Sequence, residues 1–328
     1  MTVMTAPAGS RRPAEDVAIP LKPSRTRADT VFLGTLLVAS CIVLLAIVAI
    51  LYFLAESSVP ALRYAGLHLI TSEHWAQTGT HQQFGLLGVL VGGVMIAAIA
   101  LIVGVPVSLS TALLINEYAP RRAKRWMTSG VDLLAVLPSL LYGLWGLKVL
   151  GQQIYGFTRW LSVHASFIPL FRERDATYGN SIFICGIVVG IMIIPIVTSV
   201  SREVMAQAPR DACEAALALG GTKWGMVTDV ILPFSRNGIL GAVLLGLGRA
   251  LGETIAVLLI LSQTNVIHLN ILGPGGGQIP ALIANNFESV NALAKSALTV
   301  SGLLLFVTIL AINFTARRVV GRPRMALQ

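Results

Sequence analysis

Six long apolar stretches restrict the fold of this sequence more than any other feature. Each holds about 20 mainly apolar residues, the number that an α-helix needs to cross the hydrocarbon core of a membrane. They lie at about residues 31–55, 84–107, 128–150, 181–200, 237–261 and 293–315. Only 12% of the 328 residues are charged, whereas soluble domains carry about 25%. We therefore predict an all-α integral membrane protein with six transmembrane helices.

The two ends of the chain differ from the stretches between them. Residues 1–30 are rich in Pro, Ser, Thr and Arg and have little to bury, so we expect a disordered tail. Residues 31–318 form the predicted transmembrane domain, and residues 319–328 form a short C-terminal tail. The sequence ending at Cys41 is similar to a lipoprotein processing site, but the apolar stretch continues through Leu54. That length favours an uncleaved spanning helix over a signal peptide.

Lys and Arg are distributed unevenly among the segments outside the spans. Seventeen lie in the N-terminal tail, loop 116–127, loop 201–236 and the C-terminal tail, and 4 lie in loops 56–83, 151–180 and 263–291. Cytoplasmic segments of membrane proteins are enriched in these residues. We therefore predict that both termini and the two basic loops are cytoplasmic.

Residues 209–233 form a helix-prone segment in one of the basic loops. Strong helix formers follow Glu214, Gly220 breaks the helix, and Thr222 can cap a second short helix that closes at Pro233. Two short helices joined by a glycine turn form a compact knob. A knob of this kind suits a groove on another protein.

Two opposite charges interrupt the fifth span. Arg249 and Glu253 are four residues apart, which places them on the same face of one helix. Each charge costs about 2.5–3.5 kcal/mol at the centre of a span, so such a pair rarely lacks a role. Arg249 can bind an oxyanion through its planar donors, with Glu253 neutralising it when the path is empty. A structural ion pair that locks the helix to its neighbours remains equally open.

The third span contains a second irregularity. Pro138 breaks the helical hydrogen-bond ladder, and Ser139 and Tyr142 can satisfy the freed backbone groups. A broken helix near the middle of the membrane either lines a transport path or is a packing kink. The sequence leaves both alternatives open.

Several kinds of catalytic or binding motif are missing from the sequence. It has no phosphate-binding loop with Gly-Lys-Ser/Thr, no nucleophile elbow and no His-Glu-x-x-His pattern. The five histidines lack the spacing of metal ligands. We therefore expect neither an enzyme nor a bound cofactor or metal.

Four stretches of this sequence resemble a known family of membrane proteins. Glu214-Ala215-Ala216, Gly220 and Leu232-Pro233 resemble the EAA loop of ABC importer permeases, with Val230 where that loop usually has Ile. Three further stretches, residues 117–120, 137–146 and 248–257, resemble the phosphate-specific importers of the PstC type. The resemblance extends over about residues 30–318. We call residues 209–233 the EAA segment from here on.

The resemblance implies a type I ABC importer permease fold of the MetI-like kind in a bacterial cytoplasmic membrane. The implied partners are a second, PstA-type permease, two copies of a PstB-type ATPase and an external PstS-type phosphate-binding protein. ATP and Mg²⁺ are used by the ATPase, and nucleic acid has no part. The permease pair moves inorganic phosphate by alternating access.

The resemblance also implies roles for particular residues. Those expected to couple the chain to the ATPase are Glu214, Ala215, Ala216, Gly220, Trp224 and Pro233. Those expected on the translocation pathway are Arg249, Glu253, Ser139 and Tyr142. We further expect one rigid helix to carry motion from the EAA segment to Arg249.

Three alternatives remain. The first is an ABC permease for another oxyanion, such as sulfate or molybdate, which Glu253 disfavours because fully ionised sulfate has no proton to donate to it. The second is a secondary transporter, for which broken helices are common. The third is a signalling or scaffold subunit in which the charge pair is structural.

Overall fold

The computed structural model describes residues 27–76, 83–172, 180–288 and 291–320. The predicted tails before residue 27 and after residue 320 therefore lie outside the described residues, as does His81. The elements are α1 (Arg27–Ala65), α2 (His68–Thr71), β1 (Trp75–Ala76), β2 (Gln83–Phe84), α3 (Leu87–Leu113), α4 (Arg121–Val136), α5 (Ser139–Trp145), α6 (Gly151–Gln153), α7 (Tyr155–His164), α8 (Ile182–Ala206), α9 (Arg210–Ala218), α10 (Lys223–Met226), α11 (Leu232–Gly252), α12 (Ile255–Ile260), α13 (Ile279–Asn286) and α14 (Ala292–Val320). Shorter turns are π-helical at Leu114–Tyr118, Gly146–Leu150 and Val227–Ile231, and 3₁₀-helical at Pro169–Phe171.

The chain divides into two units, residues 1–50 and residues 51–328. In the first unit the described residues are all helical from Arg27 onwards. Residues 27–30, which we predicted as part of the disordered tail, are therefore helical. Asp29 in the first turn favours this early start, because a negative charge stabilises the positive end of the helix dipole.

The second unit is built around α8. Two thirds of the most apolar part of this helix is buried, 67% against 44% for α3. Glycines allow the two helices to approach closely: a Cβ at Gly104 would lie 2.8 Å from the carbonyl oxygen of Gly190. Close approach at small residues is how helices pack in membranes, where apolar burial alone gives no driving force.

Among the described residues, five helices are long and apolar enough to cross a membrane, and a bent pair makes a sixth candidate. The bent pair is the predicted third span. It begins at Arg121 rather than residue 128, and α4 and the helix from Ser139 to Gln153 meet at 90°. Pro138 causes the bend, because it cannot donate a hydrogen bond and keeps Leu137 extended, with ψ 130°.

The fifth span differs from its prediction at both ends. The helix does not close at Pro233, because α10, the π-helical turn and α11 run continuously from Lys223 to Gly252. The wider π-helical turn precedes Pro233, which lacks a backbone donor. At the other end α11 stops at Gly252, Glu253 is extended with ψ 132°, and the short α12 follows.

Gln278, which is distant in sequence, stabilises this break in the helix. Its side-chain amide donates to the carbonyl oxygens of Ala250 and Leu251, at 2.9 Å and 2.7 Å. The last carbonyls of a helix have no partner within the helix, so an outside donor stabilises the end where it stands. Gln278 directly precedes α13, a short helix in loop 263–291.

The segment before α13 packs closely on the first turns of α3. A Cβ at Gly92 would collide with the carbonyl oxygen of Gly277, and one at Gly88 would collide with that of Asn265. Two glycines one turn apart therefore give the backbone of this segment a flat surface on which to lie.

We predict that Gly92→Leu prevents this packing, with a loss of folding free energy of at least about 3 kcal/mol. The control is Gly34→Leu, at a site where a Cβ would meet nothing within 4 Å. Thermal unfolding in detergent checks the prediction. Equal stability of the two variants would show that the loop does not need the glycine surface.

Candidate functional site

A cavity of about 650 Å³ lies between α11 and α14, and we call it the main cavity. Arg249 and Glu253 both line it, so the structure brings the two predicted residues to one site. The other lining residues are Ile196, Gly241, Leu244, Leu245, Gly248, Gly252, Asn313 and Arg317.

The floor of the main cavity is the backbone of α11. A Cβ at Gly241, Gly248 or Gly252 would meet nothing within 4 Å. Gly246 behaves differently, because a Cβ there would lie 2.7 Å from the side chain of Val197 on α8. The glycines of the fifth span therefore have two uses, one in helix packing and one in leaving room within the cavity.

Arg249 and Glu253 are not on one helical face as predicted, because α11 ends between them. No ion pair joins the two side chains, although both are among the described residues. Glu253 is buried, with 8% of its surface exposed, and its Oε1 accepts a hydrogen bond from the Ala256 amide at 3.4 Å. The carboxylate thus caps α12 instead of neutralising Arg249.

A second cavity of about 250 Å³ shares Arg249 with the main cavity. Tyr142 and Asp132 line this second cavity, together with Ser199 from α8. Arg249 therefore stands where the two cavities meet. Its side chain is exposed, and no described residue forms a hydrogen bond or an ion pair with it.

Tyr142 and Ser139 have different surroundings. The Tyr142 hydroxyl donates to the carbonyl oxygen of Leu134 at 2.9 Å. That carbonyl lies four residues before Pro138, so the tyrosine satisfies the acceptor that the proline leaves free, as predicted. Ser139 is half-buried at the start of α5 and lines neither cavity. Its hydroxyl makes no hydrogen bond within the described part of the chain, so the prediction that it satisfies a freed backbone group is wrong.

Three lining residues with charged or amide side chains were not among the predicted pathway residues: Asp132, Asn313 and Arg317. Asn313 and Arg317 stand four residues apart in α14, which places them on one face. This spacing is the feature of the sequence from which these two residues could have been predicted. Asp132 could not be found in this way, because its place in the second cavity depends on the bend at Pro138.

The EAA segment forms a helix, a turn and the start of a second helix. Gly220 adopts φ +87°, which favours glycine, and the Thr222 hydroxyl caps α10 by accepting from the Gly225 amide at 3.0 Å. The glycine turn and the Thr222 cap are thus confirmed. Leu219 and Trp224 are 90% and 59% exposed, so apolar side chains stand at the tip.

The base of the EAA segment is anchored to the residues that follow α3. The Lys223 ammonium donates to the carbonyl oxygen of Glu117 and lies 5.0 Å from the centre of the Tyr118 ring.

Burial raises the pKa of the Cys213 thiol, and the nearby carboxylates of Glu117 and Glu214 raise it further. The thiol therefore stays protonated at neutral pH.

A family model described as "Binding-protein-dependent transport system inner membrane component" matches residues 104–324. This match includes the EAA segment and both cavities. The chain therefore belongs to the family of binding-protein-dependent transport system inner membrane components. It is a multi-pass membrane subunit of an ABC transporter complex and not an enzyme, and the family implies no cofactor for it.

Curated relatives narrow the family further. "Phosphate transport system permease protein PstC 2" of Mycobacterium tuberculosis is 38% identical, covering 93% of this chain and 95% of the relative. The PstC proteins of Xylella fastidiosa and Haemophilus influenzae are 35% and 33% identical and cover 89% and 87% of this chain and 90% of each relative. The chain is thus of the PstC type.

Among solved structures, a chain of the MetNI methionine ABC transporter in inward-facing conformations is similar. It has a TM-score of 0.46 and 16% identity, and the similarity covers 72% of this chain and 93% of that one.

We predict that Tyr142→Phe lowers the free energy of unfolding by about 1–3 kcal/mol, because the Leu134 carbonyl loses its partner. Tyr52→Phe is the matched control, since Tyr52 is 68% exposed on α1. Thermal unfolding of the two variants in detergent checks this. An unchanged midpoint for Tyr142→Phe would show that water replaces the hydroxyl.

Proposed function

We propose that this chain is the permease subunit through which an ATP-driven importer moves inorganic phosphate across the cytoplasmic membrane. The observation that supports this most strongly is Arg249, an exposed cation that forms no ion pair with any other described residue and stands where two cavities meet. A guanidinium at the centre of a span costs about 2.5–3.5 kcal/mol, so it must face water or an anion. Arginine also stays charged when dry and binds oxyanions through paired donors.

The arrangement suits a path that passes Arg249. Phosphate enters from one cavity, is held by the guanidinium and leaves through the other as the helices change their packing. The wall of the main cavity is completed by a second, PstA-type permease, which explains why glycines of α11 have open space beside them. Ser139 belongs to the same span as Tyr142 and lies on the path only after movement of the bend.

Glu253 has a separate task in this scheme. Its carboxylate lines the main cavity and is fixed by the start of α12. A carboxylate is a hydrogen-bond acceptor, and hydrogen phosphate can donate a proton-bearing hydroxyl to it, whereas fully ionised sulfate cannot. The pair therefore favours phosphate over sulfate and molybdate.

The names of the relatives point to the same substrate, because each is a phosphate transport permease. The alternatives are an ABC permease for another oxyanion and, less favoured by the EAA segment, a secondary transporter. Transport by this chain without an ATPase would select the secondary transporter.

The proposed assembly contains the PstA-type permease, two PstB-type ATPases and an external PstS-type phosphate-binding protein. The basic segments support a cytoplasmic location for both termini and the EAA segment. The transmembrane domain then extends over residues 31–318, between two short cytoplasmic tails. Exposed Leu219 and Trp224 supply the apolar tip of the EAA segment that enters a groove on the ATPase.

Energy reaches the path through one helix. Glu214, Ala215 and Ala216 lie on α9, which is joined by the Gly220 turn to the helix from Lys223 to Gly252. From Trp224 to Arg249 this helix rises about 37 Å, at 1.5 Å per residue. Pro233 lies within it, beside the π-helical turn, where bending needs the fewest broken hydrogen bonds.

We predict that Arg249→Gln abolishes phosphate uptake by the reconstituted complex while the complex still assembles. The neutral side chain stays polar but lacks the charge that holds the anion. Radiolabelled phosphate uptake into vesicles measures this. Normal uptake would contradict the pathway role, and loss of assembly would favour a structural role instead.

We predict that Gly220→Ala weakens coupling, because a left-handed conformation costs a residue with Cβ about 1–2 kcal/mol. Glu214→Lys should uncouple transport as well, while phosphate docking outside is retained. Gly130→Ala is the control, since a Cβ there meets nothing within 4 Å and its φ is not positive. Undiminished substrate-stimulated ATPase activity in Gly220→Ala and Glu214→Lys complexes would contradict the coupling role.

A further inference from the structure

The main cavity contains a second cation that the proposed path does not yet use. Arg317 lies in the last turn of α14 and lines the main cavity as well as a third cavity of about 240 Å³. The two cavities share Gly241, Leu244 and Arg317, so they adjoin each other. Arg317 therefore stands where the two cavities adjoin.

Arg317 lies on α14, beside a part of α11 that precedes Arg249. This position places it on the proposed phosphate path. The third cavity is lined by Asn237, Leu240 and Gly241, which precede Arg249 on α11. Eight residues separate Gly241 from Arg249, a rise of about 12 Å. In the proposed orientation α11 runs from the cytoplasm into the membrane, so Arg317 lies on the cytoplasmic side of Arg249.

The surroundings of Arg317 suit an anion. Asn313, one turn away on the same face of α14, also lines the main cavity. Its amide can add a donor beside the guanidinium. Of the described residues that line the third cavity, none is acidic. An anion there would meet no opposing carboxylate.

Arg317 also differs from its neighbour Arg318. The guanidinium of Arg318 lies 4.2 Å from the centre of the Phe314 ring, an ordinary cation–π contact. Arg317 makes no hydrogen bond, ion pair or ring contact with any other described residue. Its guanidinium is therefore available to bind an anion.

We infer that Arg317, with Asn313, forms an inner anion site that receives phosphate from Arg249 and passes it to the cytoplasm. The inference rests on the proposed function. A single strong site would release its anion slowly, whereas two sites in line allow binding that is firm enough for entry and weak enough for exit. The phosphate group of a lipid headgroup has the same chemistry, and it is the competing occupant.

The test uses the reconstituted complex of this chain with its permease, ATPase and binding-protein partners, and follows radiolabelled inorganic phosphate. Arg317→Gln should lower the maximal uptake rate about ten-fold, the loss expected when hydrogen bonds to a charged group are removed. The external phosphate concentration for half-maximal uptake should not change, because the binding protein sets it. Arg317→Lys should recover most of the rate, and Arg318→Gln, the matched control, should match the unmodified complex.

Wild-type uptake by Arg317→Gln would overturn the inference. If uptake were unchanged while less phospholipid phosphorus co-purified with that complex, the site would belong to a lipid, and the inference would also fail. Should Arg317→Gln not assemble, Asn313→Asp decides: a carboxylate in the inner site should slow uptake, and an unchanged rate overturns the inference.

The proposed function and the inner anion site are contradicted by different results. It fails if the unmodified complex does not transport phosphate or if Arg249→Gln transports normally. The inner site alone fails if Arg249→Gln stops uptake while Arg317→Gln leaves it unchanged.

Discussion

The two hydrogen bonds from Gln278 to the end of α11 are the interaction on which the site depends. They satisfy the carbonyls of Ala250 and Leu251 and so fix the helix end at Gly252. If α11 continued, Arg249 and Glu253 would share a face and neutralise each other. Because it stops, the guanidinium faces two cavities while the carboxylate caps α12. The break turns a potential ion pair into two separate groups.

The same helix connects this site to the EAA segment. Its other end rests on the Lys223 contacts with Glu117 and Tyr118, so a displacement of the EAA segment also moves the junction between α3 and α4. The bend at Pro138 then places Tyr142 and Asp132 beside Arg249. In the proposed mechanism, movement at the EAA segment reaches Arg249 along the helix that carries it.

Local signals predicted most of the architecture. The apolar stretches, the Thr222 cap, the glycine turn and the Tyr142 hydrogen bond each depend on residues that are close in sequence. The end of α11 could not be predicted, because other glycines, such as Gly246 and Gly248, lie within the helix and the groups that stop it belong to Gln278. The right angle at Pro138 and the place of Arg317 in the cavity depend on packing between distant helices. A proline indicates that a helix is broken, but it does not give the angle.

The central claim is that Arg249 binds the transported anion directly. A density map of the assembled complex, arrested during transport with phosphate present, tests this most directly. The account predicts density for a tetrahedral anion in the main cavity, with its oxygens about 2.7–2.9 Å from the Arg249 guanidinium nitrogens. An anion resolved elsewhere in the membrane region, with Arg249 bound instead to a carboxylate of the partner permease, would contradict it.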